Sequence, residues 1–137
     1  MFENPGQAER CALLHRVKRV AVVGLSPNPA RPSHGIARGL QSAGYEVIPV
    51  RPGIREVLGC KAFPTLTAIG APVDLVNVFR SAEHVAPIVD ECLALGLQAI
   101  WIQEGIVDEA AALRARAGGM TVVMDRCIWR DFRRECS

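Results

Sequence analysis

Four arginines, two serines and a cysteine stand where a chain of this pattern does chemistry. Ser26, Arg31 and Ser33 follow the apolar run Arg19–Val23, which stops at Gly24, and a helical pattern opens at Ser33. A strand, loop and helix in that order gather backbone N–H groups and the positive helix end on one point, where an anion sits well. Arg31 adds a full charge there, and the two hydroxyls add donors. Arg51-Pro52 follow the second apolar run, Phe79-Arg80 the third, Gln103-Glu104-Gly105 the fourth and Asp125-Arg126-Cys127 the fifth. A cysteine beside an arginine has the chemistry of a nucleophile or redox thiol. No histidine is placed beside Cys127 as a base, and a small buried thiol capping the sheet is the more ordinary role. No pair of carboxylates forms an acid–base couple, since Asp74 lies early in its strand and Glu104 is the one acid at the rim. No catalytic residue is assigned, and the cysteines show no metal-ligand spacing.

The loop differs from the dinucleotide fingerprint, which needs G-x-G-x-x-G after the first strand and an acid after the second. Here the loop reads Gly24-Leu25-Ser26 and runs on to Gly35, and Arg51 stands where the acid belongs. An arginine cannot accept from ribose hydroxyls, but it pairs well with a phosphate on the ribose. The nucleotide implied is therefore phosphorylated on its adenosine ribose. NADP and coenzyme A both qualify.

The elements that position these groups are legible from periodicity. Gln7–Arg16 is an amphipathic helix with Ala8, Cys11, Ala12 and Leu14 on one face and Glu9, Arg10 and Arg16 outside it. Strands are expected at Arg19–Val23, Tyr45–Val50, Val73–Phe79, Ala99–Ile102 and Thr121–Met124. The first is apolar without alternation, as a strand buried on both faces is, and the third is apolar except for Asp74 and Asn77. Ser33 is the expected N-cap of the first crossover helix and Gly44 its end. Residues 54–70 read as irregular, with a helical turn near Thr65. Ser81 opens a third helical stretch to about Leu95, and Pro87 means that it starts near His84 or bends. Asp108 caps the next helix, which Gly118-Gly119 ends. Strands alternating with helices predict an α/β fold: a doubly wound parallel five-stranded sheet of Rossmann type, order 3-2-1-4-5, with helices on both faces. Residues 1–137 form a single domain, with 1–17 as an N-terminal helix and 125–137 as a tail.

The chain has 137 residues, half of them apolar, few aromatics and a formal net charge of +2. That charge is too small to argue for nucleic acid. No apolar run reaches the ~20 residues needed to span a bilayer. The N-terminus does not read as a signal peptide, so the five cysteines are expected to be reduced thiols and the location cytoplasmic.

The loop Val23-Gly24-Leu25-Ser26-Pro27-Asn28-Pro29-Ala30-Arg31-Pro32-Ser33 resembles that of the small bacterial CoA-binding proteins. So do Val47-Ile48-Pro49-Val50-x-Pro52, Phe63-Pro64-Thr65-Leu66, Val73–Arg80, Ala99–Gln103 and Val123-Met124-Asp125-Arg126-Cys127. That family is similar to the CoA-binding domain of the succinyl-CoA synthetase α subunit, a Rossmann-type domain. The resemblance implies that Gly24, Leu25 and Ser26 cradle the phosphates, helped by Arg31, Pro32 and Ser33. Arg51, where the family usually has Asn before Pro52, would serve the 3′-phosphate or adenine end. Phe79 and Arg80 would line the adenosine or pyrophosphate side. Ile102, Gln103, Glu104 and Gly105 would contact the pantetheine arm. It further implies a ligand, coenzyme A or an acyl-CoA, and a non-catalytic carrier, sensor or accessory module. The synthetase's phosphorylated-histidine domain and partner subunit have no counterpart in these residues. Two alternatives stand beside it: an NADP-binding redox sensor or reductase component, and a CoA-linked thiol-exchange enzyme using Cys127. A protein partner or homodimer is compatible with the sequence, which locates no surface for one.

Overall fold

The computed structural model describes residues 1–137. After α1 (Gln7–Arg16) come β1 (Arg19–Val23), α2 (Pro32–Ser42) and β2 (Glu46–Val50). A small hairpin follows, β3 (Glu56–Val57) with β4 (Cys60–Lys61), in the stretch expected to be irregular. Then come β5 (Leu75–Val78), α3 (Val85–Ala94), β6 (Ala99–Gln103), α4 (Glu109–Ala117), β7 (Thr121–Arg126) and α5 (Ile128–Asp131). The chain continues helically, in a wider π turn, from Phe132 to Cys136. No helix is long and apolar enough to cross a membrane.

The main sheet has five parallel strands in the order β2-β1-β5-β6-β7. This is the doubly wound, Rossmann-type architecture, but the strand order 3-2-1-4-5 is corrected. The third main strand, β5, lies against β1, with Val20 opposite Leu75 and Val23 opposite Val78. The outer edge of β2 is already occupied. Phe63 donates its N–H to the Pro49 carbonyl at 3.0 Å and accepts from the Arg51 N–H at 2.8 Å, a one-residue parallel bridge. With that edge filled, β5 takes the free edge of β1. Asp74 fixes its entry: its carboxylate accepts the N–H groups of Lys18 and Arg19 at 3.0 and 2.9 Å. The topological switch point therefore lies between β1 and β5, where such sheets open a crevice at their carboxyl ends.

Both faces of the sheet are covered, and successive residues divide between them. Ala21, Val23, Ile100 and Ile102 pack with Val85, Val89, Ala111 and Ala115 under α3 and α4. Val20, Val22, Ala99 and the fully buried Trp101 pack with Leu13, Leu14, Leu40 and Ile128 under α1, α2 and α5.

Local signals hold at most ends. Asp108 caps α4 by accepting from the Ala111 N–H at 3.0 Å. Gly44 and Gly96 follow their helices at positive φ. The third helix starts late: a 3-10 turn at Ala82–His84 precedes α3, so Pro87 falls in the first turn, where its missing N–H costs nothing.

Two readings of the ends are corrected. Arg10 is not on the outer face of α1 but buried, 3.4 Å from Asp131 and 2.7 Å from Glu135, with a further bond to the Pro5 carbonyl. The buried face of α1 is Arg10, Leu13 and Leu14. Nor are all cysteines reduced: Cys11 and Cys136 form a disulfide, while Cys60, Cys92 and Cys127 are free. The fold brings the two ends together, and residue spacing along the chain does not show this.

Candidate functional site: a cationic cavity at the sheet switch point

The loop after β1 is held by its own short side chains. Gly24 has φ +88°, and a Cβ on it would lie 2.5 Å from the Phe79 carbonyl oxygen and 2.9 Å from Arg80 Cδ. Only glycine lets β1 and β5 end this close together. The Ser26 hydroxyl accepts from the Asn28 N–H at 3.1 Å, and the Asn28 side chain accepts from the Ala30 N–H at 2.9 Å. Ser33 is not the N-cap. Arg31 takes that position with extended backbone, and Pro32 opens α2. Proline's fixed φ suits the first helical position, which displaces the cap by two residues. The Ser33 hydroxyl instead crosses the loop and accepts the Ser26 N–H at 3.0 Å. Both serines are buried.

Over this loop lies a cavity of about 860 Å³. Of the expected residues, Gly24, Ser26, Arg31, Pro32, Ser33, Arg51, Pro52, Phe79, Arg80, Gln103 and Glu104 line it. Leu25 and Ile102 do not: their side chains are fully buried in the two apolar layers. Gly105 lies outside the lining and donates its N–H to Asp125 at 2.8 Å. Ile36, Ser81, Ile106, Cys127 and Arg130 complete the wall. Of these, only Cys127 is a chemical candidate from sequence. Arg130 stands in a basic stretch with Arg133 and Arg134, of which Arg133 turns instead onto the Trp129 ring.

The cavity's two flanks differ in charge. Arg31, Arg51 and Arg80 face it from the ends of β1, β2 and β5, and none has a carboxylate within 4.0 Å. Arg51 reaches only the Gly24 carbonyl, at 3.5 Å. At the β6–β7 flank each cation is matched. Arg130 donates twice to Glu104, at 2.6 and 3.1 Å. Those bonds hold the Glu104 carboxyl below the usual carboxylate range and raise Arg130 above its own. Arg126 donates to Asp131 and Glu135, which ties the C-terminal segment to the end of β7. Its pKa is raised, chiefly by the bonds to Asp131. Asp125 plays a different part from its neighbour. It sits at φ +61°, bulged between the Met124 and Arg126 registers, and holds the loop after β6 through Gly105.

Gln103 is positioned from below. Buried Asn77 donates to the Trp101 carbonyl at 3.2 Å and to Gln103 Oε1 at 3.4 Å, and the Ile128 N–H reaches the same oxygen. Trp101 donates its ring N–H to the Arg126 carbonyl at 2.9 Å. Trp129 covers α2: a Cβ on Gly39 would lie 2.5 Å from its ring.

A cavity this cationic on one side, over a helix start, offers a favourable electrostatic environment to an anion. Residues 18–133 match the model of the CoA binding domain family. The Bacillus subtilis (strain 168) protein YneT, itself uncharacterized, is 46% identical over 127 residues, 93% of this chain and 94% of that one. A hypothetical protein from Pyrococcus horikoshii OT3 superposes with a TM-score of 0.92 at 28% identity, over all of both chains. The ADP-forming acetate–CoA ligase I of Archaeoglobus fulgidus is 35% identical over 75 residues, 55% of this chain but 11% of the ligase. The match over most of its length makes this chain a member of the CoA-binding domain family.

Proposed function

We propose that this chain binds coenzyme A, or an acyl thioester of it, in the cavity over β1 and β5, as a non-catalytic carrier, sensor or accessory module. The observation that carries the reading is the set of three arginines, Arg31, Arg51 and Arg80, without carboxylate partners on one flank of that cavity. Coenzyme A presents a pyrophosphate and a ribose 3′-phosphate, and an arginine fork matches a phosphate geometrically. Arg31 stands at the opening of α2, where the pyrophosphate is favoured by the helix end as well. Arg51, at the end of β2, takes the place from which a ribose phosphate is reached.

The residues fit the rest of the ligand too. From β2 to β7 is four strand spacings, roughly 19 Å at about 4.8 Å each. A long, mostly uncharged pantetheine arm spans that rim past Phe79, Gln103 and Ile106 toward the flank where charges are already matched. The groups around the cavity are cations, hydroxyls, an amide and a paired carboxylate, suited to holding a ligand.

Calorimetric titration of the purified chain with coenzyme A, acetyl-CoA, NADP and NAD tests the reading. Saturable micromolar binding of coenzyme A or its thioester, with both nicotinamide nucleotides silent, is the expected result. Preference for NADP overturns it in favour of a redox role. Silence from all four overturns it as well.

A further inference from the structure

The pair Glu104–Arg130 has a consequence for what the thiol end of the ligand can carry. The inference rests on the reading just given, in which the phosphates lie with Arg31, Arg51 and Arg80 and the thiol end lies toward β6 and β7.

At that end no cation facing the cavity is free. Both terminal nitrogens of Arg130 donate to the two oxygens of Glu104, at 2.6 and 3.1 Å, a parallel two-bond pair. Arg126, behind it, is taken by Asp131 and Glu135. Arg134 does not line the cavity; it lies in the adjoining cleft, which shares Glu104, Cys127 and Arg130 with it, on the side of Asp131 and Glu135. Glu104 itself is ionised at neutral pH, since Arg130 lowers its pKa. An acyl group bearing its own carboxylate therefore meets a carboxylate whose counter-charge is already used. Arg130 could turn from Glu104 to the incoming group only by leaving Glu104 unpaired beside it, and two like charges in one site are disfavoured. An uncharged acyl group, or the free thiol, meets no such conflict.

We propose that the Glu104–Arg130 pair makes this site selective for the free thiol and for uncharged acyl thioesters over thioesters of dicarboxylic acids. Glu104 acts as the element that rejects, and rejection by an opposed charge is a common route to specificity. Arg130 sets how strong the rejection is, because it is the cation bonded directly to Glu104.

The test compares two ligands of similar size, acetyl-CoA and malonyl-CoA, by calorimetric titration of the full chain and of two variants. The wild type is expected to bind acetyl-CoA at least about tenfold more tightly. In Glu104→Gln, which keeps the shape and frees Arg130, the ratio falls below about threefold or reverses. In Arg130→Gln, which leaves Glu104 unopposed, it widens. Thermal unfolding confirms that each variant is folded before its ratio is read. Equal affinities in the wild type overturn the inference, and so does an unchanged ratio in Glu104→Gln. If coenzyme A binds and the ratios are flat, only this inference falls. If folded wild-type protein binds neither coenzyme A nor either thioester, the binding reading falls and the inference with it.

Discussion

The hydroxyl of Ser33 accepts the backbone N–H of Ser26 at 3.0 Å, across the loop that ends β1, with both residues buried. This bond satisfies a buried donor and fixes the loop against the first turn of α2. Ser33→Ala leaves that N–H without a partner, at a cost of ~1–3 kcal/mol. A lowered midpoint in thermal unfolding checks the loss. Coenzyme A affinity falls with it, because the loop that faces the phosphates is no longer held.

Gly24→Ala is expected to be more damaging. Its φ of +88° is strained for any side chain, and the new Cβ meets the Phe79 carbonyl at 2.5 Å. The two effects together cost at least about 2 kcal/mol. Denaturant unfolding gives the stability change, and titration of the folded fraction gives the binding loss. A variant as stable as the wild type would mean that β1 and β5 part more easily than their packing indicates.

Arg51 distinguishes coenzyme A from its relative without the ribose phosphate. The wild type is expected to prefer coenzyme A to 3′-dephospho-CoA by about tenfold, or ~1.4 kcal/mol. In Arg51→Ala the two ligands bind alike, the loss falling on coenzyme A. Paired titrations measure it, and an equal preference in both proteins removes Arg51 from phosphate recognition.

Asp74 gives the fold an acid limit. Hydrogen bonds from the backbone of Arg19 and then Lys18 hold its carboxyl below the ordinary range. A carboxyl depressed in the folded state stabilises fully above its unfolded pKa of about 4, and the gain is lost as pH falls through the folded value. Asp74→Asn is expected to lose about 1 kcal/mol at neutral pH, a figure reduced for the partial exposure of the site. The gap to wild type closes as the pH is lowered below about 4. Urea unfolding at a series of pH values follows it.

The Cys11–Cys136 disulfide closes a loop across a sequence separation of 125 residues. Chain-entropy arguments set its worth at up to roughly 4–5 kcal/mol. Reduction, or Cys11→Ser with Cys136→Ser, is expected to lower the unfolding midpoint by an amount in that direction. Arg10, Asp131 and Glu135 keep the ends in contact without it. Thermal unfolding with and without reductant measures the difference.

What the sequence shows of this molecule follows the range of its signals. The strands are legible because each is a short, mainly apolar run rich in Val and Ile. The start of α4 is legible because Asp108 caps it through the N–H of a residue three positions on. The cationic loop is legible for the same reason, since Gly24, Ser26, Arg31 and Ser33 act within a dozen residues. Strand order is not, because a run of valines does not say which edge it will meet. Here the outer edge of β2 carries the Phe63 bridge and β5 lies on the far side of β1, a pairing that no local signal marks. Arg10 reads as a solvent-facing charge until Asp131 and Glu135 arrive from the far end of the chain. Arg130 looks like its neighbours Arg133 and Arg134, and only the turn of α5 aims it at Glu104 rather than at Trp129 or solvent.

The joined ends also determine how the molecule bears a load. A pull applied to the first and last residues is taken up at Cys11–Cys136, a covalent link between α1 and the C-terminal helical turn. Before the pull on the first residue reaches Cys11 it must part Asn4 from the Met124 backbone of β7; beyond that the covalent link carries it, and the chain between Cys11 and Cys136, cavity walls included, is shielded. Once the link is reduced, the same pull falls on Arg10 and its two carboxylates. It then passes along α1 toward β1 and along α5 toward Cys127 and Arg130, and the second route leads straight into the cavity wall.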